Sequence, residues 1–158
     1  MEKERSTWEN ALHELVAETV AAERAYGSLI RSDRYPSYHA YFKKRHFEQR
    51  DFAKILTDEY HSVTERKMVA PFTGESPIFT PLEKQVLEDH LSDAQINVLI
   101  TDREEALVLG YQKLLSLNGV PKTTKALLQS QAENLNSTLQ KLRMDYNTIY
   151  RTGPIKTL

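Results

Sequence analysis

The chain has 158 residues, 40% of them apolar and 27% charged, with a formal net charge of −1. That length suits one domain with enough core to be stable alone, and the balanced composition points away from a disordered chain and from a basic nucleic-acid binder. There is no cysteine, which excludes disulfides, thiolate metal sites and cysteine nucleophiles. No run approaches the roughly 18 apolar residues of a membrane span, and the opening MEKERSTWEN has no apolar signal core. A cytoplasmic protein without membrane or nucleic-acid partners is the expectation.

Taken in chain order, residues 8–31 and 37–67 read as one helical hairpin, and 93–117 and 121–150 as a second. Ser6-Thr7-Trp8-Glu9 has the form of a capping box, in which a serine hydroxyl takes a free backbone N–H and a glutamate reaches back. Thr80-Pro81-Leu82-Glu83 and Ser92-Asp93-Ala94-Gln95 repeat the pattern. Ser32–Pro36 and Asn118–Pro121 interrupt the helical period, and Pro36 and Pro121 suit the openings of the helices that follow. Short turns of this kind make consecutive helices antiparallel neighbours.

The middle connection differs. Met68–Thr80 holds two prolines, a glycine and no helical period, and a short helix over Pro81–Leu91 is expected after it. Extended, such a segment reaches roughly 45 Å, longer than the roughly 37 Å of a 25-residue helix. It can return along the whole assembly and start the second hairpin at the opposite end; the alternative is a floppy loop between hairpins. Phe72, Ile78 and Phe79 are read as clamps for this link, or else as a partner surface. One domain over residues 1–150 and a loose tail over 151–158 complete the organisation.

Each long helix shows an apolar stripe at helical spacing. The first carries Trp8, Leu12, Leu15, Val16, Thr19, Tyr26, Leu29 and Ile30. The second carries Tyr38, Tyr41, Phe42, Phe52, Ile55, Leu56, Tyr60 and Val63. The third carries Ile96, Leu99, Ile100, Ala106, Leu107, Gly110, Tyr111 and Leu114, and the fourth Leu127, Leu128, Leu135, Thr138, Leu139, Leu142, Tyr146 and Ile149. Most of the tyrosines fall on these stripes, as core rings with hydroxyls at the rim.

Glu23–Tyr26, Phe42–Phe52 and Asp102–Tyr111 resemble segments of a bacterial family of ferritin-like four-helix-bundle proteins of unknown function, over roughly residues 10–150. The resemblance implies an all-α fold: two antiparallel hairpins joined by one long crossover that contains a short extra helix. It implies no reaction. In related di-metal proteins, one Glu on each of two helices and Glu-x-x-His on each of the other two hold the ions. Here Glu23 and Glu104 or Glu105 stand for the lone glutamates, and Glu48-Gln-Arg-Asp51 and Glu133-Asn-Leu-Asn136 for the paired motifs, with both histidines replaced.

Helical phase speaks against such a centre. Glu23 lies in the core-facing arc and Glu48 at its edge, Glu104 and Asp51 fall on the flanks, and Glu105 and Glu133 point away. Arg45, Arg103 and Gln131 lie near the middle of their stripes. We therefore expect a buried polar network of Glu23, Arg45, Glu48, Arg103 and Gln131, with guanidinium–carboxylate pairs where ions would sit. The alternative is that Arg45 and Arg103 snorkel to the ends of the assembly. No His-x-x-x-His pair exists, and His46 comes nearest to a ligand position.

Two functions follow. The first is a non-enzymatic binding or structural module with no cofactor, and with a homodimer through a helical face as its partner expectation. The second is a carboxylate protein holding two Fe or Mn ions on Glu23, Glu48 and Glu104, with Asp51 or His46, that stores iron or handles oxidants.

Overall fold

The structure, a computed structural model, describes residues 6–32, 34–67, 78–88 and 90–146. These residues form five α-helices: α1 (Thr7–Ile30), α2 (His39–Thr64), α3 (Phe79–Glu88), α4 (Asp93–Leu115) and α5 (Lys122–Tyr146), with a 3-10 turn at Pro36–Tyr38 before α2. The fold is all-α.

The local chemistry of the helix ends explains most boundaries. Ser6 accepts the Glu9 amide and so caps α1, although its hydroxyl donates to the Glu9 carboxylate and the reciprocal half of the box is not made. Ser92 and Gln95 make both halves at the start of α4, at 3.1 and 2.8 Å. At α3 the expected boundary shifts: the helix starts at Phe79, one residue earlier, so Thr80 lies inside it. At its far end α2 stops where Glu65 turns left-handed, at φ +56°. The α4–α5 turn holds Gly119 at φ +89°, with the Trp8 ring 3.1 Å from where a Cβ would stand.

Side-chain contacts fix the directions of the helices. Ser37 donates to the Asp93 carboxylate at 2.8 Å and Tyr38 to its carbonyl, so α2 and α4 begin at the same end. At the other end Glu59 accepts from Thr124 and Thr123, which joins the close of α2 to the start of α5. Thus α2 and α4 run one way and α1 and α5 the other. The end of α2 and the start of α4 therefore lie at opposite ends of the helices. Between them in the chain, α3 packs against α1 and buries Phe79, Leu82 and Val86. Ile78 packs on the core as well; Phe72 and the 151–158 tail lie outside the described residues.

The core is continuous. Leu12, Val16, Tyr26 and Leu29 of α1 meet Phe42, Leu56 and Tyr60 of α2, Ile96, Ile100, Leu107 and Tyr111 of α4, and Leu128, Leu135 and Leu139 of α5. Each such side chain, fully buried, stabilises by about 1.5–3 kcal/mol before entropy is counted. Among the described residues Ile55 is the exception to the expected core, at 43% exposed, and Ile149 lies outside them. The buried stripe of α2 runs Phe42, Arg45, Gln49, Ala53, Leu56, Tyr60, and Ile55 sits about 100° off it.

Helix α2 packs most extensively on α1. Gly27 lies on that seam, with the His46 ring 3.1 Å from where a Cβ would stand. By contrast, α2 touches α5 only lightly.

Candidate functional site

The polar centre of the molecule is built on Arg45, whose side chain is fully buried. The i, i+3, i+7 spacing of Phe42, Arg45 and Gln49 puts the guanidinium on the core face of α2. Its Nη2 donates to Glu104 Oε2 at 2.5 Å, and Glu104 is also fully buried. The second carboxylate oxygen accepts from the Tyr26 hydroxyl at 2.6 Å. Nη1 reaches Glu48 Oε2 at 3.4 Å, one turn further along α2. With its amide oxygen turned toward the guanidinium, Gln49 accepts from both terminal nitrogens at 3.0 and 3.3 Å. The Arg45 guanidinium carbon also lies 5.8 Å from the Tyr26 ring centre.

A second buried bond lies beside this one. The Tyr111 hydroxyl donates to Gln131 Oε1 at 2.6 Å, linking α4 to α5. The charges of Arg45 and Glu104 reach Tyr111. Buried atoms remain around the cluster without a hydrogen bond among the described residues: Tyr41 Oη, Arg45 Nε, Glu48 Oε1 and Gln131 Nε2.

The electrostatics follow from burial. Loss of solvent pushes the phenols of Tyr26, Tyr41 and Tyr111 well above their ordinary range, and the negative charge of Glu104 adds to the rise at each. Burial alone would depress the Arg45 guanidinium. The groups around it, Glu104 foremost and then Tyr41, Tyr26 and Glu48, together outweigh that and hold it above its ordinary value. Arg45 is thus a fixed buried cation, and its neighbours are matched to it.

The sequence-derived residues divide as follows. Arg45 and Glu48 belong to the central cluster, and Gln131 bonds to Tyr111 beside it. Glu23 is half-buried, and its backbone carbonyl accepts from His46 Nδ1 at 2.8 Å. Arg103 does not join the network: it is half-buried and pairs with Asp102 on its own helix. Glu104 takes the interior place that the apolar stripe of α4 assigned to Arg103. The cause is a weak stripe: α4 leaves Val98 and Leu109 exposed while burying Asn97, so its apolar residues define the phase poorly. Tyr26 and Tyr111 were expected as core rings with hydroxyls at the rim, but both hydroxyls are buried in hydrogen bonds, to Glu104 and Gln131, and Gln49 was not expected here at all. For Gln49 a signal existed, since it lies four residues after Arg45 on the same face.

The residues proposed for a di-metal centre do not fit one. Both oxygens of Glu104 are engaged by Tyr26 and Arg45, and a guanidinium cation occupies the space between Glu104 and Glu48. His46 Nδ1 donates to the Glu23 carbonyl, because a carbonyl can only accept, which leaves Nε2 as the nitrogen a metal would use. Asp51 is exposed beside Arg50. Among the described residues, no three His, Asp or Glu side chains converge as ligands.

Comparison of the chain with protein families, with curated proteins and with solved structures gives no match in any of the three. No described helix is long and apolar enough to cross a membrane.

Proposed function

We propose that this chain is a ferritin-like four-helix bundle that acts as a non-enzymatic binding or structural module. In this reading the guanidinium of Arg45 takes the central place that two metal ions hold in di-iron and di-manganese relatives of the fold. The observation that carries it is the Arg45–Glu104 pair, 2.5 Å long and fully buried, with the other Glu104 oxygen bound by Tyr26. A cation already bonded to the carboxylate competes with a divalent ion for it and repels that ion. The direction of the helices supports the fold part of the reading. With α2 parallel to α4, the long return link gives the one-crossover connection of ferritin-like proteins.

The network then serves register. Breaking a buried pair by removing one partner strands a charge, which disfavours any packing that separates Arg45 from Glu104. Metal analysis of the purified protein, followed by ferrous iron under air, tests the reading. The expected result is no stoichiometric Fe or Mn and no catalysed ferrous oxidation. Two equivalents of either metal per chain, with turnover lost in Glu104→Gln, would move the protein to the oxidant-handling class.

A further inference from the structure

The lightly touching seam of α2 and α5 is an open groove of about 750 Å³. Its α2 wall carries Lys44, Phe47, Glu48 and Asp51, spaced as a single helical face. The α5 wall, with Ser130, Glu133, Asn134, Ser137, Thr138 and Lys141, is spaced in the same way. Where an interhelical seam normally closes on apolar side chains, both walls here are polar.

The charges along the groove are sorted by sign. The Glu59–Thr124 bond sets the antiparallel register of the two helices. Counting back from it puts Lys44 level with about residue 139 of α5, next to Lys141, and Asp51 level with about residue 132, next to Glu133. One end therefore presents two ammonium groups, Lys44 also pairing with Glu48, and the other two carboxylates, Asp51 also pairing with Arg50, separated by roughly 10–12 Å at 1.5 Å per residue. Phe47 lies between them, 41% exposed. Also in the middle is Glu48 Oε1, buried yet without a hydrogen-bond donor, 3.8 Å from the Lys44 nitrogen.

We propose that this groove binds short peptides with free termini in an extended conformation, the amino end at Asp51 and Glu133 and the carboxylate end at Lys44 and Lys141. Three extended residues span about 10 Å, which matches the separation of the charged ends. A central apolar side chain packs against Phe47. This goes beyond the module reading above and does not depend on it, since the groove residues are not those that would hold metal at the centre, Glu48 and Asp51 excepted.

The test uses the full chain, isotope-labelled, titrated with the tripeptide Ala-Leu-Ala and with its acetylated, amidated form while amide NMR shifts are followed. Saturable shifts confined to residues 44–51 and 130–141 are expected, with the blocked peptide weaker by about tenfold or more. The double change Lys44→Ala and Lys141→Ala should weaken the free peptide by a similar factor and leave the C-terminally amidated one unchanged. These lysines are exposed, so the fold survives their removal. Absence of shifts at millimolar free peptide, equal binding of free and blocked forms, or unchanged binding by the double variant would each overturn the proposal. A positive metal analysis would leave it standing.

Discussion

Glu104 and Glu105 are neighbours in sequence, and each is paired with an arginine from another helix. Glu104 meets Arg45 of α2 in the fully buried centre. Glu105 meets Arg143 of α5 on the outside, where both side chains are nearly half exposed. The chemistry of the two pairs is the same and the surroundings are opposite. Inside, desolvation makes each partner dependent on the other. Outside, water and salt screen the attraction, and either partner can be lost cheaply. One helical step of 100° separates a residue that constrains the fold from one that decorates it.

The sharpest way to break this contrast is Glu104→Ala. It leaves Arg45 charged and buried, and should cost about 3–5 kcal/mol. At about 2–4 °C per kcal/mol for a chain of this size, the melting temperature should fall by about 6–20 °C. A loss under about 1 kcal/mol in chemical denaturation would mean that the centre is wetter than the geometry indicates. Replacing both partners at once, Arg45→Met with Glu104→Leu, should recover most of that loss, because no charge is left stranded. If the double variant is no better than Glu104→Ala, packing rather than charge carries the effect.

Alkaline titration separates inside from outside by a second route. The folded-state pKa values of Tyr26, Tyr41 and Tyr111 are raised above the ordinary value of about 10, so above that pH the unfolded chain releases protons the folded one keeps. Their stabilising contribution is complete below about pH 10 and is lost as pH climbs toward the raised values. Tyrosinate absorbance from these three should therefore appear only as the helical circular dichroism disappears. Ionisation of every tyrosine with the helices intact would contradict their burial.

The smallest effect belongs to the outer pair. Glu105→Ala should change stability by no more than about 1 kcal/mol, and less at high salt. A larger or salt-independent loss would show that the α4–α5 face is more shielded than its exposure suggests.

Much of the fold could be read from the residues in order. The capping residues Ser6 and Ser92, the turn at Gly119 and the interruption before Pro36 place the ends of the long helices within a few residues, because those signals act over three or four positions of chain. Arg45 was legible as well, since α2 has one narrow apolar stripe with an arginine in its middle. Its partner was not. With Val98 and Leu109 facing out, the apolar residues of α4 give no single direction, and phase estimated from them turned Arg103 inward in place of Glu104.

By itself, then, the sequence determined which segments are helical, where they stop, and that a cation lies on the inner face of α2. Only the tertiary structure decided which of two adjacent residues on α4 answers that cation, and that α2 closes on α1 while standing off from α5. The reason is physical. Helix formation is governed by neighbours along the chain, whereas the rotation of a helix about its axis is set by what other helices present to it. Here a buried guanidinium and the Tyr26 hydroxyl required a carboxylate between them, and Glu104 supplied it.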